Sequence, residues 1–439
     1  MNVPMPLTMQ VIAVLNREYI PRISDAELHE RLEVRGAVLI EGPKWCGKTT
    51  TAERIARSVL YMQNPATRSQ NIRLAEISPQ TLLAGEAPRL IDEWQLAPQL
   101  WDAVRFEVDT RGSTGQFVLT GSAVPADLPE DSHTGTGRIG RMHMRTMSSL
   151  ESGDSSGAVS LGSLFSGEPM PVAPSDKQLD DVAFLVCRGG GWPQSIGMTE
   201  RQALRQARDY LDEVCESDIS RVDGVERDAA AARAILRSYG RMVASQGKIT
   251  QMLEDVRGMG FAMSESSLRN YIAALRKIFV LEDLSAWNPN LRSKTAIRSA
   301  PTRHFSDPSI AAAALRLGPA DLVADLKTFG LAFESMCIRD LRVYSAALDG
   351  DVYHYRDRSG LEADAVVHLR DGKYALVEVK LGGETLIEEG AKSLTTLRDR
   401  VDAERTGEPA FLMVLTAVGE YSYPREDGVL VCPIGCLGV

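Results

Sequence analysis

From Gly36 to about Ser149, short apolar runs alternate with amphipathic stretches. Ala37-Val-Leu-Ile40, Arg89-Leu-Ile-Asp92 and Phe117-Val-Leu-Thr120 predict buried parallel strands. Thr49–Tyr61 and Leu96–Asp109, lying between them, predict helices. Such alternation implies a parallel sheet with helices on both faces. Ser148 to Asp176 breaks the pattern; it is rich in Ser, Gly and Pro and predicts a long surface loop or linker.

From about Asp180 to Gly318 the spacing is mostly helical. In Glu200–Ser217, apolar residues fall at Ala203, Leu204, Ala207, Tyr210, Leu211 and Val214, one face of a helix. Ala229–Ser245, Ile249–Arg257 and Ser264–Ile278 read as three shorter helices, followed by strand-like Phe279–Leu281 and Leu284–Trp287. Three helices and a β element predict a winged-helix shape. Strands then return at Asp351–Tyr355, Glu362–Leu369, Lys373–Leu381 and Ala410–Leu415, after a helix over Asp321–Tyr344. The expected division is an α/β domain with an N-terminal arm (1–150), a linker (151–178), a helical lid region (179–228), a winged-helix domain (229–318) and a second α/β domain (319–439).

Bulk properties narrow this little. The 439 residues are 44% hydrophobic and 25% charged, with 36 Gly and 21 Pro, as in ordinary multidomain globular chains. The net charge of −10 confines any nucleic-acid contact to a local basic patch. Cys46, Cys187, Cys215, Cys337, Cys432 and Cys436 have no metal-site spacing and read as free buried thiols. No run approaches the ~18 apolar residues of a membrane span, and Met1–Gln10 lacks a leader pattern. The expectation is a cytoplasmic protein without membrane contact.

Gly42-Pro43-Lys44-Trp45-Cys46-Gly47-Lys48-Thr49, with Thr50 directly after, fits G-x-x-x-x-G-K-[ST] between a predicted strand and a predicted helix. Its glycines let backbone N–H groups turn toward phosphate oxygens, and the helix N-terminus adds a positive dipole end. Lys48 reaches the β/γ-phosphates and Thr49 ligates Mg²⁺. The strand ending in Asp92-Glu93 supplies a carboxylate for Mg²⁺ and a general base for the attacking water, in that order. Thr120 or Ser122, ending the third strand, would sense the γ-phosphate. ATP and Mg²⁺ are the expected cofactors.

Gly42–Thr49, Leu90-Ile-Asp-Glu-Trp-Gln95, Leu119-Thr-Gly-Ser122 and Gly137-Arg-Ile-Gly-Arg-Met-His-Met144 together resemble a prokaryotic group of AAA+-type ATPases. The resemblance implies an α/β multidomain fold. A P-loop NTPase (AAA+-like) parallel sheet would be followed by a helical/winged-helix middle and a C-terminal α/β restriction-endonuclease-like domain. It also implies that Arg138 or Arg141 stabilises transition-state charge, in cis or from a neighbouring subunit; a surface salt bridge is the alternative. AAA+ relatives often form rings, so a homo-oligomer is compatible with it.

Ser264–Ile278 is the candidate recognition helix. Arg269, Arg276, Lys277, Arg292, Lys294, Arg298 and Arg303 outnumber Glu282 and Asp283 there. A basic helix and wing can neutralise phosphates, DNA being the expected partner; the alternative is a packing module with a solvated basic face.

In the last domain, charged residues interrupt apolar strands: Glu362 and Asp364 in one, Glu378 and Lys380 in the next. That placement is unfavourable unless the charges pair or bind a metal. A two-residue turn at Asp371-Gly372 would put Asp364 and Glu378 on opposite faces, so a three-residue loop Arg370-Asp371-Gly372, or a bulge, is predicted. Asp364, Glu378-x-Lys380 and Glu334 on the preceding helix resemble the PD-(D/E)xK nuclease family. That resemblance implies that Asp364, Glu378 and Glu334 bind Mg²⁺ and that Lys380 orients the attacking water, although Ala363 stands where many members have Pro. His354 and His368 read as exposed strand residues rather than ligands.

Overall fold

The structure is a computed structural model, described here over residues 19–123, 137–288, 300–357, 359–401 and 406–439. Its N-terminal part has helix α1 (Ser24–Val34), strand β1 (Ala37–Glu41), α2 (Lys48–Ile55), β2 (Ser58–Tyr61), α3 (Arg68–Ile77), α4 (Pro79–Leu83), β3 (Arg89–Asp92), α5 (Leu100–Arg111), β4 (Phe117–Gly121) and β5 (Ile139–His143). The strands form one parallel sheet in the order β2-β3-β4-β1-β5. Strands β1 and β4 are buried on both faces, as their continuous apolar runs require. One face packs Leu39, Ile91 and Leu119 on Trp94, Trp101 and Val104; the other packs Val38, Ile40 and Val118 on α1 and α2.

The predicted helix Thr49–Tyr61 is two elements: α2 stops at Ile55 and Ser58–Tyr61 forms the edge strand β2. β2 is only half-buried, so it lacks the continuous apolar signature of a central strand. The predicted linker is not a surface loop. It contains β6 (Val159–Ser160), paired with β13 (Leu437–Gly438), and the short helix α6 (Leu161–Phe165). Val159, Leu161, Leu164, Phe165 and Ala173 are buried against the C-terminal core. Its serines made it look solvated, yet Ser148, Ser149 and Ser155 are buried. Ser155 Oγ, for example, donates to the Leu437 carbonyl across 2.6 Å.

The middle is helical: α7 (Leu179–Arg188), α8 (Glu200–Glu213), a π-helical turn (Val214–Asp218), α9 (Ile219–Arg221), α10 (Ala229–Arg241), α11 (Ile249–Gly258) and α12 (Glu265–Lys277). Thr199 and Gln202 form a capping box that starts α8. The predicted stripe Ala203, Ala207, Tyr210, Leu211 and Val214 is buried; Leu204 is only partly so. After α12, isolated antiparallel bridges Leu281↔Phe305 and Leu284↔Thr302 bring the chain back beside itself.

Helices α13 (Pro308–Leu315), α14 (Pro319–Ala324) and α15 (Leu326–Ala347) lead into a mixed sheet. Its strands are β7 (Gly350–Arg356), β8 (Glu362–Leu369), β9 (Tyr374–Lys380), β10 (Leu412–Thr416), β11 (Tyr423–Pro424) and β12 (Val429–Pro433), in the order β11-β12-β10-β9-β8-β7. Helix α16 (Glu384–Arg400), which has no counterpart among the predicted elements, covers β9 and β10. β9 and β10 are parallel, as are β10 and β12, while β7-β8-β9 run antiparallel. All six cysteines are free and buried. Among the described residues no helix is long and apolar enough to cross a membrane.

Candidate nucleotide and carboxylate sites

The loop between β1 and α2 wraps with Gly42, Trp45 and Gly47 at positive φ. A side chain at Gly42 would bring its Cβ to 2.1 Å from the Met144 carbonyl oxygen, so the sharp turn requires glycine. Lys48 is buried and bends back, donating to the Gly42 and Pro43 carbonyls at 2.9 and 2.7 Å. Its ammonium thus lies inside the loop, where a phosphate group would be held. Arg22, ahead of α1, donates to the Cys46 carbonyl at 2.7 Å and braces the loop from outside. Thr50 lies one residue further along α2.

Asp92 ends β3 almost fully buried, with three partners. Thr49 Oγ1 donates to its Oδ1 at 2.7 Å and Thr120 Oγ1 at 2.6 Å, while Gln63 Nε2 contacts Oδ2. A hydroxyl and a carboxylate held together this way fit a hard cation at the loop's mouth. Glu93 stands next to them at φ 57°, a left-handed conformation rare outside glycine. Its carboxylate contacts Gln95 Nε2 and accepts from Ser122 Oγ at 3.4 Å. Burial pushes its pKa up, opposed by Lys48 and reinforced by Asp92. A carboxylate with its pKa raised is a better proton acceptor than an ordinary one, as a general base requires.

A cleft of about 630 Å³ opens from this group, lined by Lys44, Arg68, Glu93, Gln95, Ser122, Asp218 and Arg221. One wall is the sheet domain and the other is the helical middle. Arg22, Gln63, Arg68 and Arg221 were not picked out in the sequence. They follow no motif spacing and reach the site through tertiary folding.

Of the two candidate transition-state arginines, Arg141 lies on edge strand β5 and Arg138 immediately precedes it. Arg138 is paired with Asp109 at 2.8 Å, and its carbonyl accepts from Ala37 N at the start of β1. β1 runs from there to the loop, roughly 16 Å at ~3.3 Å per residue. Arg141 pairs with Glu41 at 3.0 Å and stacks over Trp101. Neither arginine is among the residues that line the cleft.

In the C-terminal sheet, Leu369 pairs with Lys373 around the three-residue loop Arg370–Gly372, with Gly372 at φ 95°. Ala365 faces Val377 and His368 faces Tyr374, the register that puts Asp364 beside Glu378. The bulge offered as the alternative is not in this hairpin, whose register is regular; a bulge lies instead between β7 and β8. Tyr353 faces Val366 and Tyr355 faces Ala363, so β8 has one extra residue around Asp364. Asp364 Oδ2 accepts from Val379 N at 2.7 Å. Lys380 Nζ donates to Glu378 Oε2 at 2.6 Å, and Ser393 of α16 donates to Oε1 at 3.3 Å.

Glu378, 2% exposed, has its pKa raised to about 8 by burial and then by Asp364, against the pull of Lys380. Burial, Asp364 and Glu378 likewise push Glu334 on α15 well up. Asp364 is raised too, chiefly by burial and against Lys380, and its two carboxylate neighbours drive Lys380 upward. The three acids thus feel one another across the sheet. Even so, among the described residues no three acids, histidines or cysteines stand close enough to form a ready-made cation site. His354 is buried, not exposed: its Nε2 faces the Ala300 carbonyl at 3.1 Å. His368 is half-buried against Trp287 and Tyr374.

The basic stretch is less positive than its composition. Arg303 is 7% exposed and bound to Asp283 at 2.7 Å, and Arg276 shares that carboxylate at 2.5 Å. Arg269 is paired with Glu265 one helical turn away. Lys277 is half-buried at the end of α12, and Arg292, Lys294 and Arg298 lie outside the described residues. Counting charges missed these pairings because Asp283 sits between two arginines only in the fold.

Residues 34–152 match the family described as "AAA domain". Residues 180–321 match "Domain of unknown function (DUF8612)" and 329–437 match "Domain of unknown function (DUF4143)". The N-terminal domain is thus an AAA-type P-loop ATPase domain, followed by these two domains. The chain is 22% identical over 417 residues to "Uncharacterized protein Rv2008c" of Mycobacterium tuberculosis, covering 94% of this chain and 83% of that one. The same figures hold for "Uncharacterized protein Mb2031c" of Mycobacterium bovis. Among solved structures, the Walker-type ATPase PABY2304 of Pyrococcus abyssi is 14% identical with a TM-score of 0.41, over 67% of this chain and 95% of its own.

Proposed function

We propose that this chain is an AAA+-type ATPase that acts on nucleic acid, DNA in the first instance, and has a metal-dependent nuclease site of PD-(D/E)xK type in its C-terminal domain. The first half of the reading rests on the Lys48, Thr49, Asp92 and Glu93 group. Lys48 and the loop N–H groups would hold the terminal phosphates, and Thr49 with Asp92 would hold Mg²⁺. Glu93 would take the proton of the attacking water. Bound Mg²⁺ would supply charge neutralisation on the phosphates.

The single observation behind the second half is the regular β8–β9 register, closed by the three-residue loop Arg370–Gly372, that sets Asp364 against the Glu378–Lys380 pair, with Glu334 within electrostatic reach. Asp364, Glu378 and Glu334 would hold the cation, and Lys380 would orient water. Three helices followed by a β return give the middle its winged-helix reading.

A second reading has support of its own: a nucleotide-driven switch whose C-terminal module is catalytically silent. The Lys380–Glu378 ion pair and the neutralised arginines of α12 favour it. Labelled single- and double-stranded DNA and RNA, incubated with Mg²⁺ or Mn²⁺ with and without ATP, separate the two. Cleavage that Lys380→Ala loses supports the nuclease; no cleavage on any substrate while ATP is still turned over supports the switch.

A further inference from the structure

The two variable residues at the crest of the phosphate loop are both held by the helical middle. Lys44 Nζ donates to Asp218 Oδ1 across 2.5 Å. Trp45, at φ 64°, sets its ring edge-on to Tyr210, 5.3 Å between centroids, and Tyr210 in turn lies 4.5 Å from Trp192. Asp218 ends the π-helical turn Val214–Asp218, a geometry frequent at functional positions. Its side chain is 8% exposed, whereas that of Lys44 is 37% exposed, so the acid is enclosed by the helical middle and the lysine is open to the cleft.

Both residues line the cleft that contains Glu93 and Ser122. A carboxylate buried in the wall of a polyphosphate site is out of place electrostatically. Once a triphosphate enters, Asp218 is repelled by it while Lys44 is drawn to it. The same lysine cannot satisfy both.

We propose that Asp218 is a resident stand-in for the terminal phosphate. In the nucleotide-free chain it holds Lys44 and thereby locks the segment from α8 to α9 onto the loop. Binding of a nucleoside triphosphate with its cation transfers Lys44 from Asp218 to the phosphates. The π-turn is then free to move, with the Trp45–Tyr210–Trp192 stack as its pivot. A diphosphate, lacking the terminal group, competes less well for Lys44. The device makes the position of the helical middle report the presence of the last phosphate. It rests on the reading of the cleft as an ATP site.

The test uses the full chain and its Asp218→Asn, Lys44→Met and Lys48→Ala variants. Binding of fluorescent ATP and ADP analogues with Mg²⁺ is measured beside hydrogen exchange of the segment 200–221. Asp218→Asn is expected to bind the triphosphate about fivefold more tightly than the wild type, the worth of a partly exposed pair. It should gain less for the diphosphate. Its segment 200–221 should exchange, without nucleotide, as fast as that of triphosphate-loaded wild type. Lys44→Met should show the same fast exchange but no gain in affinity, which guards against a folding artefact at Asp218. Unchanged exchange in both variants, with binding lost in Lys48→Ala, would overturn the latch and leave the ATP site standing. Undiminished binding in Lys48→Ala would overturn both.

Discussion

Thr49, in the first turn of α2, donates to Asp92 at the tip of β3 across 2.7 Å. That bond ties the helix after the phosphate loop to β3, which lies beyond β4 in the sheet, and leaves the carboxylate oriented but not free. Asp92 is placed to hold a cation through Thr49 and water rather than to react. Replacing it with Asn keeps the size and removes the charge. The Mg²⁺ concentration for half-maximal ATP turnover should rise about 10- to 100-fold, the usual cost of losing a supporting ligand. A Mg²⁺ titration of turnover in Asp92→Asn gives the answer.

Burial raises the pKa of Glu93, the residue after Asp92. Glu93→Gln should bind ATP as well as the wild type and turn it over roughly 10²- to 10⁴-fold more slowly. Single-turnover kinetics with a separate binding measurement distinguish the two effects. Normal turnover would remove the base from Glu93.

The pair at Glu378 has a stability signature. Its carboxyl is raised to about 8 in the folded chain, against ~4.3 in an unfolded one. Between those values the folded state holds a proton that the unfolded state has lost, so this group's contribution to stability declines as pH rises through that window. Glu378→Gln removes the titration. Without divalent cations, its Tm relative to wild type should gain roughly 2–4 °C between pH 5 and pH 9, for each kcal/mol involved. A constant offset across that range would contradict the burial assigned to Glu378.

Arg303 and Arg269, both basic in sequence, should part company on mutation. Arg303→Met leaves the largely buried Asp283 carboxylate with the Tyr239 hydroxyl and the exposed Arg276, and should destabilise the fold by about 2–3 kcal/mol. Arg269→Ala, on an exposed turn, should cost about 0.5 kcal/mol or less. Denaturant unfolding of the two variants measures the difference.

Motif-bearing parts of this chain were legible because their chemistry is local. The phosphate loop, the strand ending in Asp92-Glu93 and the loop Arg370–Gly372 are each fixed by a few neighbouring residues, and the fold places them as read. Edge strand β2 was hidden because half-buried strands lack a continuous apolar run. The buried segment after Ser148 was hidden because its serines are satisfied by partners almost 300 residues away, as Ser155 is by Leu437. Asp218 and Arg221 belong to no spacing at all; only the meeting of the middle with the sheet domain brings them to the cleft.

The most direct test of the central claim is phosphate release from ATP by the purified chain with Mg²⁺, beside Lys48→Ala. The account predicts steady turnover that falls to background in the variant, because Lys48 is the buried ammonium inside the loop. Equal turnover in the two proteins, or none in the wild type at any Mg²⁺ concentration, would contradict it.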